Sequence, residues 1–416
     1  MTIELINTGT ELLLGDTVNT NAAWLGQQLA AHGIEVSRQT IVPDGPAIRD
    51  AIAEAVTRAD VLILTGGLGP TNDDLTRECA SEVLGLQLDV DPAALATLEA
   101  YFAHRGKVMS PVNRKQAMVP PGGEVLTNPH GTAPGLYLPA ALGRSKGLAC
   151  AMFLTPGPPR EFKPMIENHV IPKLVGLYPE YAGRTVSYLK ITGLGESEIV
   201  DRVERDLEAV PGLTLGYCLG RGDVDVRLSG EPSAVEQGRG IVMSKLSSYV
   251  VSEDRRILEQ VVVDRLRELG RKVAVAESCT GGTIASRITD ISGASEIFGY
   301  GFVTYANDAK CKELGVEPQW IQSDGAVSHR VAQAMAEGCL NVSGADYALA
   351  VTGIAGPNGG TPEKPVGTVF AALADRSQPT QVRKLFFPGG RDRFKLLTSQ
   401  SALEMLRRRL FGLEIP

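Results

Sequence analysis

The sequence predicts an α/β protein of three successive units, and three observations carry the prediction. Short apolar runs alternate with longer helical patterns from residue 1 to about 170, the mark of strand–helix–strand units stacked on a mostly parallel sheet. Glycine-rich turns follow the strand-like runs, at the ends where open α/β sheets bind ligands. A charged, proline-containing stretch at 172–184 then gives way to short strands around one helix, and an α/β pattern resumes after about 250. The expected organisation is a doubly wound α/β domain over 1–172, a small α+β domain over 173–250, and a second α/β domain over 251–416.

In the first domain Ile3–Thr8 reads as a strand followed by a loop and a helix at 22–32, and DVLILT (60–65) as a strand feeding a glycine turn ahead of another helix. In the second, 187–192 and the alternating run 224–228 read as strands flanking a helix at 196–209. In the third, 252–269 has the period of an amphipathic helix, while 272–277 and 347–351 read as buried strands. No repeat at a fixed period is visible, so the two α/β units share little beyond a glycine turn after a strand.

At 416 residues the chain exceeds the size at which one core keeps growing. Hydrophobic residues at 43% and charged residues at 21% are those of an ordinary globular protein. A net charge of −7 argues against general affinity for nucleic-acid backbones, which needs clustered Lys and Arg. The cysteines Cys79, Cys150, Cys218, Cys279, Cys311 and Cys339 form no C-x-x-C pair, so neither a disulfide framework nor a zinc site is expected. The N-terminus enters a strand with no basic, apolar leader, and no apolar run reaches about 18 residues. A cytoplasmic protein without a membrane span is the expectation.

The motif AESCTGG (276–282) ends a strand at Ser278 and opens a helix at Gly281 and Gly282, placing a hydroxyl where backbone N–H groups converge. Ser278 or Thr280 could equally be an N-cap of that helix. Of the five histidines only His329 lies in this domain, which disfavours a Ser-His-Asp mechanism. A lysine kept neutral by burial can activate a serine instead, and GFVTYANDAK (301–310) offers Tyr305 and Lys310. Taken alone, Lys310 reads as a solvated charge, and spacing cannot show that it meets Ser278. VTGIAGPNGG (351–360) follows another strand with four glycines that let backbone N–H groups approach a ligand, and Arg391 offers a phosphate fork.

The N-terminal domain carries a second constellation. TGTELLLGDTVNTN (8–21) puts Glu11, Asp16 and two asparagines after the first strand, and TGGLGPTNDDLT (65–76) sets a glycine loop ahead of Asp73 and Asp74. Glycine loops beside carboxylates suit a phosphate with a divalent metal, although Asp73 or Asp74 singly reads as an N-cap.

AESCTGG, GFVTYANDAK, GAVS (325–328), TGIAGPNGG and KPVGTV (364–369), in that order, resemble the C-terminal domain of the CinA family. GGLGP with Asp74 and Thr76 resembles the molybdopterin-binding fold of the MogA and MoaB proteins. NPHGTAPG (128–135) and TPGPPREF (155–162) complete the N-terminal pattern of CinA, and GLGES (193–197) marks its KH-like middle domain. GLGES lacks the basic G-x-x-G loop that clamps RNA, so a spacing role is expected there.

The resemblance implies that the C-terminal domain is a nicotinamide-nucleotide amidase, converting nicotinamide mononucleotide and water to nicotinate mononucleotide and ammonia without a metal. It makes Ser278 the nucleophile, with Lys310 and Tyr305 its activating partners. Thr280, Gly281, Gly282, Thr352, Gly353 and Arg391 become substrate contacts, and Lys395 stands where a second arginine is expected. For the N-terminal domain it implies an ADP-ribose pyrophosphatase dependent on magnesium, manganese or cobalt. Gly66, Gly67, Gly69, Asn128 and Gly131 are then substrate contacts, and Asp16, Asp73 and Asp74 the metal ligands. A homodimer is also expected, since three small domains leave apolar faces to cover.

Two other readings compete: a molybdopterin-handling enzyme, and a noncatalytic partner protein connected with DNA uptake or damage. The first leaves the C-terminal constellation idle and the second leaves both glycine-rich sets unexplained. Hydrolysis of pyridine nucleotides accounts for the most residues.

Overall fold

Strand Ile3–Thr8 is buried at every position, because it lies inside a sheet and feeds a core on each face. In the computed structural model, which describes residues 1–179 and 183–416, this strand belongs to a sheet of six. The order is Val36–Val42, Ile3–Thr8, Val61–Thr65, Ala151–Thr155, Gly135–Leu138, Glu124–Leu126. The first four strands run parallel and the last two antiparallel.

Side chains alternate across a strand, so neighbouring residues serve opposite cores. Ile3, Leu5, Val61 and Ile63 pack with Leu25 and Leu29 of helix Thr20–Ala31, whereas Ile6, Leu62 and Leu64 pack with Ile48, Ile52 and Leu84 of helices Ala47–Ala55 and Thr76–Leu84. Each such fully buried aliphatic side chain contributes about 1.5–3 kcal/mol relative to exposure. Helix Ile171–Leu177 places Leu174 in the first of these cores. The first compact unit accordingly continues past the expected boundary at 172, to Val186, and the second runs from Ser187 to Pro416.

The second unit holds two sheets. One is four-stranded, ordered Thr214–Leu219, Asp223–Gly230, Thr185–Thr192, Val250–Ser252, and is covered by helices Glu196–Glu208 and Pro232–Leu246. The helix expected over 252–269 begins only at Leu258. Ser252 ends a strand, its Oγ donates to the carbonyl of Arg256 at 2.7 Å, and Arg255 adopts φ 67°, so a tight turn separates strand from helix.

The other sheet is ordered Phe298–Val303, Val273–Glu277, Tyr347–Gly353, Thr368–Asp375, Gln381–Phe386, the first three strands parallel and the rest antiparallel. Its two faces differ in size. Val273, Val275, Leu349 and Val351 meet helices Leu258–Leu269 and Arg391–Leu410, while Ala274, Ala276, Ala348 and Ala350 meet helix His329–Ser343. Burial on both faces explains why these strands read as unbroken apolar runs. Within this unit Gln400 donates to Thr192 Oγ1 at 3.0 Å and Arg407 to the carbonyls of Val250 and Ser248 at 3.2 and 2.8 Å, tying the small sheet to the long C-terminal helix. Among the described residues no helix is long and apolar enough to cross a membrane.

Candidate active site

The three parallel strands of the second unit end together, and Ser278 follows the last residue of the middle one. Glu277 is level with Val303 on one neighbour and with Val351 on the other. The Ser278 amide donates to the Val351 carbonyl at 3.1 Å, and the Thr304 amide to the Glu277 carbonyl at 2.9 Å. This register sets Thr304 beside the serine, and helix Asn307–Leu314 then folds back so that Lys310 reaches it.

Lys310 is 1% exposed, and its Nζ lies 3.1 Å from Ser278 Oγ, 2.7 Å from the Thr304 carbonyl and 3.3 Å from the Tyr305 carbonyl. Burial pushes its pKa below the ordinary lysine value. A neutral amine has two N–H donors and one lone pair. In the neutral form the two carbonyls can take both donors, which leaves the lone pair for the Ser278 hydroxyl proton. The neighbouring thiol is no rival nucleophile, because burial pushes Cys279 up to about 12.

Ser278 and Lys310 line a cavity of about 270 Å³ with Cys279, Tyr305, Thr352, Gly353 and Arg391. Tyr305 meets Lys310 through its main-chain carbonyl. The residue is 63% exposed, and its hydroxyl, on the wall of the same cavity, accepts from Arg391 at 3.4 Å. Arg391 also donates to the Gly356 carbonyl at 2.6 Å, so it buttresses the glycine loop while facing the cavity. Thr352 Oγ1 donates to the Ala326 carbonyl at 2.8 Å and thereby holds the cavity wall. A Cβ on Gly353 would meet Val369, Phe394 and the Thr368 carbonyl within 2.9 Å, so only glycine fits.

Three expected contacts lie elsewhere. Thr280 is fully buried, its Oγ1 has no partner among the described residues, and it does not line this cavity. Gly281 and Gly282 line a separate cleft beside Lys190 and Arg287. Their amides are already used, by the Ser278 carbonyl at 3.1 Å and by Glu277 Oε2 at 3.0 Å. His329 is exposed and takes no part.

In the first unit the glycine loop lies where the strand ends meet, lining a cleft of about 590 Å³. Gly66, Gly67, Gly69, Asp73 and Asp74 border it. Gly66 has φ 100°, and a Cβ there would fall 2.4 Å from Thr8 Oγ1. Asp74 accepts from the Thr71 amide at 2.9 Å, so it shapes the loop rather than capping the next helix. Asp16 is exposed and does not line the cleft, although Thr17 beside it does; its amide donates to the Glu11 carbonyl at 3.0 Å. Asn128 and Gly131 line an adjoining pocket, but Asn128 donates at 2.8 Å to Glu161, which borders the cleft. Of the two asparagines the sequence offers in 8–21, both line the cleft, whereas Glu161 and Asn7 carried no role in the sequence reading. Asn7 Oδ1 and Asn21 Oδ1 are buried acceptors at the cleft with no donor among the described residues, the kind of vacancy that ligand hydroxyls fill.

Among the described residues no three His, Cys, Asp or Glu side chains converge as a metal cage. A metal held by Asp16, Asp73 and Asp74 together therefore does not fit. A magnesium-type ion, however, takes one or two carboxylates and completes its shell with water and phosphate oxygens. Asp73 and Asp74 meet that smaller requirement.

Comparison with known proteins agrees with both halves. The family model described as "CinA C-terminal domain" matches residues 255–410, and that described as "Probable molybdopterin binding domain" matches residues 4–175. A CinA-like protein of Akkermansia muciniphila is 48% identical over 401 residues, 96% of this chain and 95% of its own. A CinA-like protein of Geobacter metallireducens is 41% identical over 420 residues, 99% of this chain and all of its own. Among solved structures, competence/damage inducible protein CihA from Agrobacterium tumefaciens is 45% identical, covering 36% of this chain and 91% of its own, with a TM-score of 0.36.

Proposed function

The chain belongs to the CinA family, and from that premise we propose that its C-terminal domain is a serine amidase acting on nicotinamide mononucleotide. The observation that carries the reading is the buried Lys310 amine, held by two carbonyls with its third direction on Ser278 Oγ. Ser278 Oγ attacks the carboxamide carbon while Lys310 takes the hydroxyl proton. The tetrahedral adduct collapses, the C–N bond breaks, and Lys310 returns the proton to the departing ammonia. Water then attacks the ester, Lys310 accepts its proton, and the C–O bond to Ser278 breaks, releasing nicotinate mononucleotide and restoring the hydroxyl. Arg391, on the cavity wall, suits the substrate phosphate. Ammonia release from nicotinamide mononucleotide, followed in the full chain and in Ser278→Ala, tests the proposal.

The first unit is read as an ADP-ribose pyrophosphatase yielding AMP and ribose 5-phosphate. A polar cleft with a glycine loop, two carboxylates and two donorless amide oxygens supports it. Asp73 and Asp74 would hold a magnesium, manganese or cobalt ion together with the pyrophosphate, whose charge the ion neutralises. The name of the matching family model favours a second reading, molybdopterin binding. Adding each ligand to the full chain and measuring AMP formation and bound pterin separates the two. Action in the cytoplasm as a homodimer completes the proposal.

A further inference from the structure

A fully buried carboxylate lies directly behind the nucleophile. Glu277 is 0% exposed, and its partners are three main-chain amides: Gly282 at 3.0 Å and Ile284 at 3.1 Å on Oε2, and Ala285 at 2.8 Å on Oε1. These are the amides that the start of helix Thr283–Thr289 would otherwise leave unbonded. Nothing in the proposed chemistry uses this carboxylate, yet a buried anion there is costly unless its hydrogen bonds matter.

An account of the turn's amides shows what the carboxylate achieves. Ser278 N is taken by Val351, Gly281 N by the Ser278 carbonyl, and Gly282 N by Glu277. The amides of Cys279 and Thr280 donate to no oxygen among the described residues, and both face the Cys279 sulfur, a weak acceptor that a substrate oxyanion outcompetes. Cys279 directly follows the nucleophile and lines the same cavity. The amide after a nucleophilic serine is where an oxyanion donor serves, provided that it is already fixed before the reaction. Gly281 and Gly282, at φ 61° and 98°, make this turn possible but do not make it rigid. The three bonds to Glu277 do.

We infer that Glu277 is a positioning residue of the amidase: it locks the turn after Ser278 so that the Cys279 amide receives the substrate oxyanion. The inference rests on the amidase reading above. It also accords with the phosphate role proposed for Arg391, since Glu277 occupies the helix-start amides.

The test is Glu277→Gln in the full chain, with ammonia release as the assay. Glutamine keeps the shape but offers one oxygen and sets an N–H₂ group against amide donors. Turnover should fall by about 10- to 100-fold, less than the about 10²–10³-fold cost of removing an oxyanion donor, because the amide is misaligned and not lost. KM should stay within about twofold, and the pH at which activity rises should not move, because Lys310 is untouched. Glu277→Asp, which keeps both oxygens on a shorter arm, carries the test if the glutamine protein does not fold. It should lose about fivefold or more in kcat at constant KM. Wild-type kcat in folded Glu277→Gln, or in Glu277→Asp where it alone folds, overturns the inference, as does a loss confined to KM or a displaced pH rise. A wild-type chain that releases no ammonia overturns the amidase reading itself, a result distinct from any of these.

Discussion

Replacing Lys310 with methionine removes the proton acceptor while filling most of the same buried volume. The structure fixes what is lost: one contact to Ser278 Oγ at 3.1 Å and two donors, to Thr304 O at 2.7 Å and Tyr305 O at 3.3 Å. A positioned general base contributes about 10²–10⁴ in rate, or about 2.7–5.5 kcal/mol of barrier at 1.36 kcal/mol per tenfold. Each carbonyl left dry costs about 1–3 kcal/mol of stability, partly offset because an amine no longer has to be buried. The variant should therefore melt a few degrees lower but fold, and its kcat for ammonia release should drop at least about 100-fold with KM nearly unchanged. The pH profile gives a second readout. Only the neutral amine accepts a proton, so wild-type activity rises with pH through the Lys310 pKa, which burial places below the ordinary lysine range. Lys310→Met should lose that ascending limb, and adding Ser278→Ala should lower the rate little further. A folded Lys310→Met protein within about tenfold of wild type, with the limb intact, would refute the lysine's role.

Arg391→Ala should raise KM for nicotinamide mononucleotide several-fold and leave kcat close to wild type, because a phosphate contact is uniform binding; steady-state kinetics decide. Gly353→Ala drives a Cβ into Val369 and Phe394 and should destabilise the chain by about 1–3 kcal/mol in a denaturant melt. Gly131→Ala puts a Cβ 1.8 Å from Glu161 Oε2, so it should abolish AMP formation from ADP-ribose while sparing ammonia release. Chelator should separate the activities the same way, stopping AMP formation and leaving the amidase intact. Light scattering should give twice the 44.2 kDa chain mass; a single-chain particle at all micromolar concentrations contradicts the dimer.

Much of this was legible in the sequence because buried strands and glycine turns leave strong local marks. Ile3–Thr8 has the same ends in sequence and structure, and the Val/Ala alternation of 273–276 encodes a sheet with one bulky and one close-packed face. The pairing of Ser278 with Lys310 was not legible from spacing, since 32 residues separate them and only the parallel register of Val273–Glu277 with Phe298–Val303 joins them. Family resemblance supplied it. Side-chain direction was least legible. Asp16 follows a short helical turn and does not line the cleft, and Tyr305 turns its hydroxyl to Arg391 while its carbonyl meets Lys310. Glu277 did leave a signal, a carboxylate closing the apolar run VAVA, but its meaning depends on three amides that only the folded turn brings to it.

The central claim is a covalent serine amidase, and the most direct measurement is ammonia release from nicotinamide mononucleotide in chelator by the full chain and by Ser278→Ala. Wild-type protein should release ammonia and nicotinate mononucleotide in equal amounts, and folded Ser278→Ala should be slower by orders of magnitude. Undiminished release from the alanine variant, or none from the wild type, contradicts the account.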